Sequence, residues 1–210
     1  MIAHRILRLL KRDNFKEEKM KILGVTGSLR KGGNTEFTVK SSLKAATALG
    51  AKTDEINLSD YNIHPCSGCG ICKKEKCHID DGMHELLLKV AEADALIIGG
   101  PVYYGSISGG LKSFLDRCRP LKLQGNQLRG KFGGAIAVGK IWGHSNAIDT
   151  IFHFFGSQGI FSVPIYTNPG IGVQVFASEL GDAEKDIEGQ KPAEELGKRI
   201  VECLVRAKEK

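Results

Sequence analysis

Strand-like runs alternate with amphipathic helical patterns from Lys21 onward, and this alternation restricts the fold more than any other feature. Runs of strand length lie at 22–25, 52–57, 95–98, 132–138 and 160–163. Helical patterns lie at 35–49, 145–157 and 192–207, and two more follow Asp81 and Ser108, which can cap them. Strands that alternate with helices form a parallel sheet covered on both faces. The sequence therefore predicts a doubly wound α/β domain with five parallel strands.

Three loops of this sheet are candidates for a functional site. Ligands of doubly wound sheets bind beyond the carboxyl ends of the strands, where the strand order reverses. The loops after the first, third and fourth strands are expected at that edge, and each has an unusual composition.

The first loop, G-S-L-R-K-G-G-N-T at 27–35, leads from a strand into a helix. Unpaired backbone N–H groups and the helix dipole make such a position suitable for a phosphate. Arg30 adds a positive charge, and Asn34 is placed to cap the helix. The loop lacks both the Lys-Ser/Thr ending of a nucleoside-triphosphate loop and the GxGxxG dinucleotide fingerprint. A monophosphate ligand is predicted, with a ligand-free glycine turn as the alternative.

The second loop contains P-V-Y-Y-G at 101–105. Pro101 is expected to end the third strand, and Gly105 permits a close or left-handed turn. Tyr103 and Tyr104 place aromatic surface at the ligand edge of the sheet, which suits a flat aromatic ring. Two tyrosines beside a turn also occur where they only pack against their neighbours.

The third loop, V-G-K-I-W-G-H-S-N at 138–146, offers Gly139 and Gly143 to a ligand. Trp142 and His144 are bulky for such a position. His144 is expected to cap a helix or lie at the surface, and a role as proton donor to the ligand is the alternative.

Four of the six cysteines fall within C-S-G-C-G-I-C-K-K-E-K-C at 66–77. Zinc ribbons separate two C-x2-C pairs by a dozen or more residues so that two arms close a tetrahedron. Here three cysteines follow one another at x2 spacing and the fourth comes four residues later, which favours the corners of an iron–sulfur cubane. Zinc and a redox disulfide remain the alternatives. Cys118 and Cys203 lie on apolar helical stripes and are expected to be buried structural thiols.

Taken together, these motifs resemble those of the flavodoxin-like NADPH-dependent FMN reductases, and in particular the archaeal-type iron–sulfur flavoproteins. The resemblance covers residues 20 to about 207 and rests on the 27–35 loop, on 101–117, and on C-x2-C-x2-C-x4-C followed by I-D-D-G-M. It implies a flavodoxin-like sheet with strand order 2-1-3-4-5 and a cluster loop at 61–81 after strand two. The third loop departs from the family, whose members usually carry glycine-rich residues there.

The resemblance also implies two cofactors and the residues that hold them. The FMN phosphate would be bound by Ser28, Arg30, Gly33, Asn34 and Thr35, and the flavin ring by Pro101, Val102, Tyr103, Tyr104 and Gly105, with Gly139 beside it. A [4Fe–4S] cluster would be bound by Cys66, Cys69, Cys72 and Cys77.

The implied function is that of a redox enzyme which passes electrons between the cluster and FMN. The resemblance suggests reduced ferredoxin as donor and O2 or H2O2 as acceptor. Because strand two would be a sheet edge, a homodimer or dimer of dimers is expected to bring one subunit's cluster to another's FMN. Two alternatives stay open, an NAD(P)H-dependent FMN or quinone reductase with a structural metal loop, and a non-catalytic redox-sensing or electron-carrier module.

Charge and hydropathy bear on partners and on domain organisation. The net charge is +6, but residues 1–19 hold six Lys/Arg against three Asp/Glu, so half of the excess lies in this segment. The sequence contains no basic stripe interleaved with aromatic residues, so nucleic-acid binding is not predicted. No apolar run approaches the roughly 20 residues of a membrane helix. No signal peptide is recognised, so the cytoplasm is the expected location. Residues 1–19 are expected to be a basic extension, either a peripheral helix or an upstream translation artefact, and 20–210 one FMN-binding domain.

Overall fold

The computed structural model describes residues 20–167 and 170–208, so the predicted basic extension at 1–19 lies outside the described part. The strands are β1 (Lys21–Thr26), β2 (Lys52–Asn57), β3 (Ala95–Tyr103), β4 (Ser106–Ile107), β5 (Phe132–Gly139), β6 (Phe161–Ser162), β7 (Tyr166–Thr167), β8 (Gly170–Ile171) and β9 (Val173–Phe176). The helices are α1 (Asn34–Thr47), α2 (Met83–Glu92), α3 (Gly109–Arg117), α4 (Arg119–Leu123), α5 (His144–Gln158), α6 (Asp182–Lys185) and α7 (Ile187–Lys208). Short 3-10 helices span Leu58–Asp60 and Ile71–Lys73.

The central strands run parallel in the order β2-β1-β3-β5, with a fifth position beyond β5. This confirms the predicted α/β class and the strand order. Two segments share the fifth position: β6 pairs with the first residues of β5, and β9 pairs with Ile136–Gly139. The predicted strand at 160–163 is therefore only the first half, and V-Q-V-F at 173–176 completes the edge.

The central strands β1, β3 and β5 are buried on both faces because helices cover each side. Alternate residues of a strand point to opposite faces. Val25 and Ile98 pack on the side of α2, α3 and α5, whereas Ile22 and Ile97 pack on the side of α1 and α7. Two apolar layers thus enclose the sheet. Because the central strands are parallel, their carboxyl ends lie at one edge.

Pro101 does not end β3, which continues to Tyr103. The ladder with β1 stops at the Thr26–Gly99 pair, so the missing N–H of proline breaks no hydrogen bond on that side. On the other side Pro101 stays in register with Val138 of β5. The prediction of a strand end at 101 was wrong because the neighbouring strand, not the proline, decides which N–H groups are needed.

Across residues 20–167 and 170–208, every helix is too short or too polar to span a membrane.

Candidate functional site

The loop after β1 is locked to the loop after β3 by backbone and side-chain hydrogen bonds. Gly27 N donates to Gly99 O at 2.7 Å, and Ser108 Oγ donates to Gly27 O at 2.7 Å. The same Ser108 hydroxyl accepts from Leu111 N at 3.2 Å and so caps α3, as its sequence position predicted. A Cβ on Gly27 would lie 2.8 Å from Leu111, so only glycine permits this close approach. Two of the predicted ligand loops therefore form one rigid unit.

The predicted phosphate-binding residues lie around the start of α1. Ser28 is buried, and its Oγ accepts from Arg30 N at 3.1 Å, which tightens the loop. Thr35 is buried in the first turn, and Gly33 occupies the N-cap position. Within the described part of the chain, the guanidinium of Arg30 has no hydrogen-bond or ion-pair partner. An exposed, unpaired positive charge thus lies beside a helix N-terminus, where backbone N–H groups are also available.

Asn34 differs from its prediction, because it is the first helical residue and does not cap α1 with its side chain. Its Nδ2 donates to Glu179 O at 2.8 Å, and its Oδ1 accepts from Ala183 N at 3.2 Å. The two ends of the amide therefore tie the 27–35 loop to Glu179, just before α6, and to Ala183 in its first turn. Sequence reasoning missed this contact because its partners are more than 140 residues away in the chain.

Glu36 is a loop-forming residue that the sequence analysis did not single out. Its Oε2 accepts from Gly32 N and from Asn57 Nδ2, each at 2.8 Å, and Lys40 pairs with its Oε1. Burial alone would raise the pKa of Glu36, but these donors outweigh burial and hold the pKa below its ordinary value. Glu36 lies three residues after the N-cap Gly33, the position of the glutamate in a capping box, but it accepts from Gly32 N, one residue before the cap. That spacing could have identified Glu36 as the residue that shapes the loop.

The loop between β3 and β4 is a two-residue turn that exposes aromatic surface. Tyr104 (φ 48°) and Gly105 (φ 77°) both have positive φ, as the tightest hairpin turns require. Tyr104 is fully exposed and Tyr103 about half exposed. A Cβ on Gly105 would lie 2.4 Å from the Trp142 ring, so the indole packs directly on this turn. Residues 102–105 and 140–142 line an open cavity of about 360 Å³ at the carboxyl edge of the sheet.

His144 is neither a surface residue nor a side-chain cap. It is 2% exposed, and its Nε2 lies 3.1 Å from Val175 O and 3.3 Å from Gly139 O. Both partners are carbonyl oxygens, so Nε2 carries a proton and donates to them. The ring packs on Phe176 with centroids 4.3 Å apart. His144 thus joins the ends of β5 and β9, and this use of its Nε2 proton argues against a proton-donor role.

Residues 61–81, here called the cysteine segment, follow β2 and fold against α2 and α4. Gly68 (φ 70°) and Gly70 (φ 78°) adopt left-handed conformations that turn the backbone around the thiols. All six cysteines are free thiols. The residues that form this region include no set of three or more Cys, His, Asp or Glu side chains close enough to bind a single metal ion. All four of Cys66, Cys69, Cys72 and Cys77 nevertheless line one cavity of about 190 Å³.

A buried ion pair holds this segment in place. Asp81 binds Arg117 of α3, and their side chains are 4% and 3% exposed. Asp81 also accepts from His64 N at 2.9 Å and from Met83 N at 3.3 Å. Burial alone would raise the pKa of Asp81, but Arg117 and the two backbone donors outweigh burial and hold the pKa below its usual value. The N-cap of α2 is Gly82, without a side-chain cap hydrogen bond, so the prediction that Asp81 caps the helix was wrong by one residue. Asp81 instead accepts from the first helical N–H and anchors the loop.

The chemistry of this cavity fits an iron–sulfur cluster. Thiolate ligands of such clusters are commonly oriented by N–H donors and desolvated by apolar neighbours. Gly68 N donates to Cys66 Sγ at 3.5 Å, and donors from Ile71 and Ser67 lower the pKa of Cys69. Leu87, Leu88 and Leu121 add apolar surface to the same cavity. Four thiols around an intervening space suit a multi-atom cluster better than one tetrahedral ion.

The 27–35 loop, the proposed phosphate loop, and the cavity lined by the four cysteines, here called the cysteine cavity, lie at opposite ends of α3. The N-terminal Ser108 contacts Gly27, whereas Arg117, in the last turn, donates to Cys77 Sγ at 3.7 Å. Nine residues at 1.5 Å rise separate these contacts by about 14 Å along the helix. The two sites are therefore distinct within one subunit.

Comparisons with known proteins agree with this geometry. The model of the NADPH-dependent FMN reductase family matches residues 20–168. An iron–sulfur flavoprotein of Methanocaldococcus jannaschii is 41% identical over 88% of this chain and 97% of its own length. An iron–sulfur flavoprotein of Methanosarcina thermophila is 32% identical over 88% of this chain and 95% of its own. A solved flavodoxin from the domain Archaea superposes with a TM-score of 0.60 at 17% identity, covering 89% of this chain and 99% of the flavodoxin, which supports the fold.

Proposed function

The chain belongs to the iron–sulfur flavoproteins of the NADPH-dependent FMN reductase family, and we propose that it passes electrons between a [4Fe–4S] cluster and FMN. Family membership makes it an FMN-dependent oxidoreductase. The observation that carries the finer proposal is that four thiols line one cavity, which a buried ion pair joins to the helix that also contacts the phosphate loop.

The residues around the start of α1 are suited to hold the FMN phosphate. Arg30 supplies an unpaired guanidinium, and the backbone N–H groups of Gly33, Asn34 and Thr35 lie at the N-terminus of the helix. Because the Asn34 side chain is engaged elsewhere, its contribution would come from its backbone. Ser28 sets the turn that presents Arg30.

The flavin ring is assigned to the cavity beside the β3–β4 turn. Pro101, Val102, Tyr103, Tyr104 and Gly105 form one wall, and the loop after β5 forms the other. A Cβ on Gly139 would lie 2.9 Å from Val102, so glycine there allows the two loops to approach. Trp142, which departs from the family pattern, packs on the turn at Gly105 while most of its side chain stays exposed beside the cavity.

Replacing Arg30 by alanine is expected to weaken FMN binding by roughly 1.5–3 kcal/mol, or about 10- to 150-fold, because a charge-assisted hydrogen bond is lost. Fluorescence titration of the flavin-free protein measures this. Lys31→Ala is the matched control, since Lys31 is paired with Asp60 at 2.6 Å. Riboflavin, which lacks the phosphate, should bind equally to both variants and to the parent. Unchanged FMN affinity in the Arg30 variant would remove Arg30 from the phosphate site.

The cysteine cavity is proposed to hold the cluster through Cys66, Cys69, Cys72 and Cys77. When bound, FMN exchanges one or two electrons and the cluster exchanges one at a time, which together allow electron transfer without an acid–base pair. The anaerobic absorbance spectrum, with iron and sulfide analysis of the purified protein, tests the proposal. Four iron and four sulfide per chain support it, and a flavin spectrum without iron would refute it.

Reduced ferredoxin as donor and O2 or H2O2 as acceptor are proposed from the family resemblance. The description of the matched family favours NADPH as the alternative donor, with a structural metal in the cysteine loop. Stopped-flow mixing separates the two: rapid bleaching of the flavin by NADPH without ferredoxin supports the alternative. Negligible turnover with every donor and acceptor would instead favour a redox-sensing or carrier module.

We further propose a homodimer or dimer of dimers whose interface includes the 61–81 segment. The ring cavity and the cysteine cavity share no lining residue, and Cys66 and Cys69 are exposed on the surface. Association through this segment would cover the thiols and place them near a second subunit's flavin. Light scattering is expected to give at least twice the 22.8 kDa chain mass. A monomer with intact cluster-to-flavin electron transfer would contradict this, as would a dimer whose cysteine segment stays exposed to solvent.

A further inference from the structure

Arg117 is the one cation of the described residues whose side chain is buried in the cysteine segment and reaches a cysteine sulfur. Its Nη1 donates to His64 O at 3.3 Å and to Asp81, and its Nη2 donates to Ile79 O at 3.3 Å and to Cys77 Sγ at 3.7 Å. One guanidinium therefore binds the chain on both sides of the four cysteines and the sulfur of the last one.

The planar fork of arginine is required for this arrangement. Four acceptors are reached by two nitrogens in fixed directions, which a lysine ammonium on a flexible stem cannot reproduce. The carbonyls of His64 and Ile79 stand 15 positions apart in the sequence, so Arg117 closes the cysteine segment into a loop against α3. The position of Cys77 in the cavity depends on this closure.

The guanidinium also places a positive charge beside a prospective ligand sulfur. Hydrogen bonds to the sulfurs and nearby charge are among the main determinants of iron–sulfur potentials. Asp81 pairs with Nη1 whereas Cys77 Sγ contacts Nη2, so the positive end of the ion pair faces the sulfur. A positive end at this position favours the more negative, reduced form and raises the reduction potential. Solvent screening is weak here because the side chain is 3% exposed.

We propose that Arg117 is a positioning residue which fixes Cys77 in the cysteine cavity and raises the reduction potential of the cluster bound there. This inference rests on the proposed cluster site. It assigns to Arg117 a role in setting the direction of electron flow, separate from the ligand role of the cysteines.

The test is a potentiometric titration of the whole protein followed by electron paramagnetic resonance. The key variant combines Asp81→Asn with Arg117→Gln, which replaces the buried ion pair by a neutral pair and leaves no unpaired buried charge. The matched control is Arg119→Gln, because Arg119 lines the same cavity but is exposed to solvent. Arg117→Lys retains the charge without the fork.

The neutral pair is expected to shift the cluster potential to more negative values than in either the parent or Arg119→Gln. The cluster potential of Arg117→Lys, which keeps the positive charge, should stay close to that of the parent. The inference would be overturned by an equal shift of the potential in the neutral pair and in Arg119→Gln. It would also be overturned by a shift in Arg117→Lys as large as that of the neutral pair. Either result would leave the proposed cluster in place. A parent protein without iron and sulfide would overturn the proposed function first, and the inference with it.

Discussion

Cys77→Ser is expected to lose most of its iron and sulfide, whereas Cys203→Ser retains both. A serine hydroxyl does not ionise near neutral pH and cannot replace a thiolate ligand of iron. Cys66→Ser, Cys69→Ser and Cys72→Ser should behave in the same way, since all four thiols line one cavity. Iron and sulfide analysis of anaerobically purified protein measures the loss, with circular dichroism to confirm that each variant is folded.

The controls differ from the ligands in position and reactivity. Cys118 is fully buried in the core, and burial raises the pKa of its thiol far above the usual value. Cys203 lies on α7, which packs on the opposite face of the sheet, and is only partly buried, so the prediction of a buried thiol was wrong there. This partial burial also raises the pKa of its thiol. Cys118→Ala is therefore expected to keep the full cluster. Full iron occupancy in Cys77→Ser would contradict the four-ligand proposal and leave a three-cysteine site.

The sheet was largely predictable because its central strands β1 and β3 contain short apolar runs, although β2 is mostly polar. The sequence A-L-I-I at 95–98 is buried, as its unbroken apolarity predicts, and the strand continues through Gly99 and Gly100 to Tyr103. Half of the fifth strand position was missed because β6 has only two residues. The other half is formed by β9, after residue 172. Short edge strands are specified by the strand beside them more than by their own sequence.

The composition of the candidate site was predictable, but its cross-links were not. For loop residues such as Arg30 and the four cysteines, residue type and spacing alone indicate which kind of ligand they suit. Arg117 reads as an ordinary charged residue at the end of a helix, and its partner Asp81 lies 36 positions away. His144 was likewise misjudged, because its acceptors belong to the unpredicted β9 and to the end of β5. Long-range polar contacts depend on the folded topology and leave no local pattern.

The buried ion pair has a consequence for stability that depends on pH. The folded-state pKa of Asp81 is below its value in the unfolded chain, near 3.9. A carboxylate of this kind stabilises the fold fully above the unfolded pKa, and the stabilisation is lost as pH falls through the folded pKa. The effect of removing Asp81 should therefore be complete at neutral pH and decrease below about pH 4.

Asp81→Ala is expected to lower the free energy of unfolding by about 3–5 kcal/mol at pH 7, because it leaves the Arg117 charge buried without its partner. It also removes the acceptor of His64 N and Met83 N. Asp116→Ala is the matched control on α3, next to Arg117 in the sequence. Asp116 forms an exposed pair with Lys112 at 2.6 Å, and its loss should cost at most about 1 kcal/mol. Urea unfolding of the iron-free proteins at pH 7 and at pH 3 measures both. If Asp81→Ala and Asp116→Ala cost the same at pH 7, the ion pair does not anchor the cysteine segment, and the closure of that segment must come from its packing on α2 and α4.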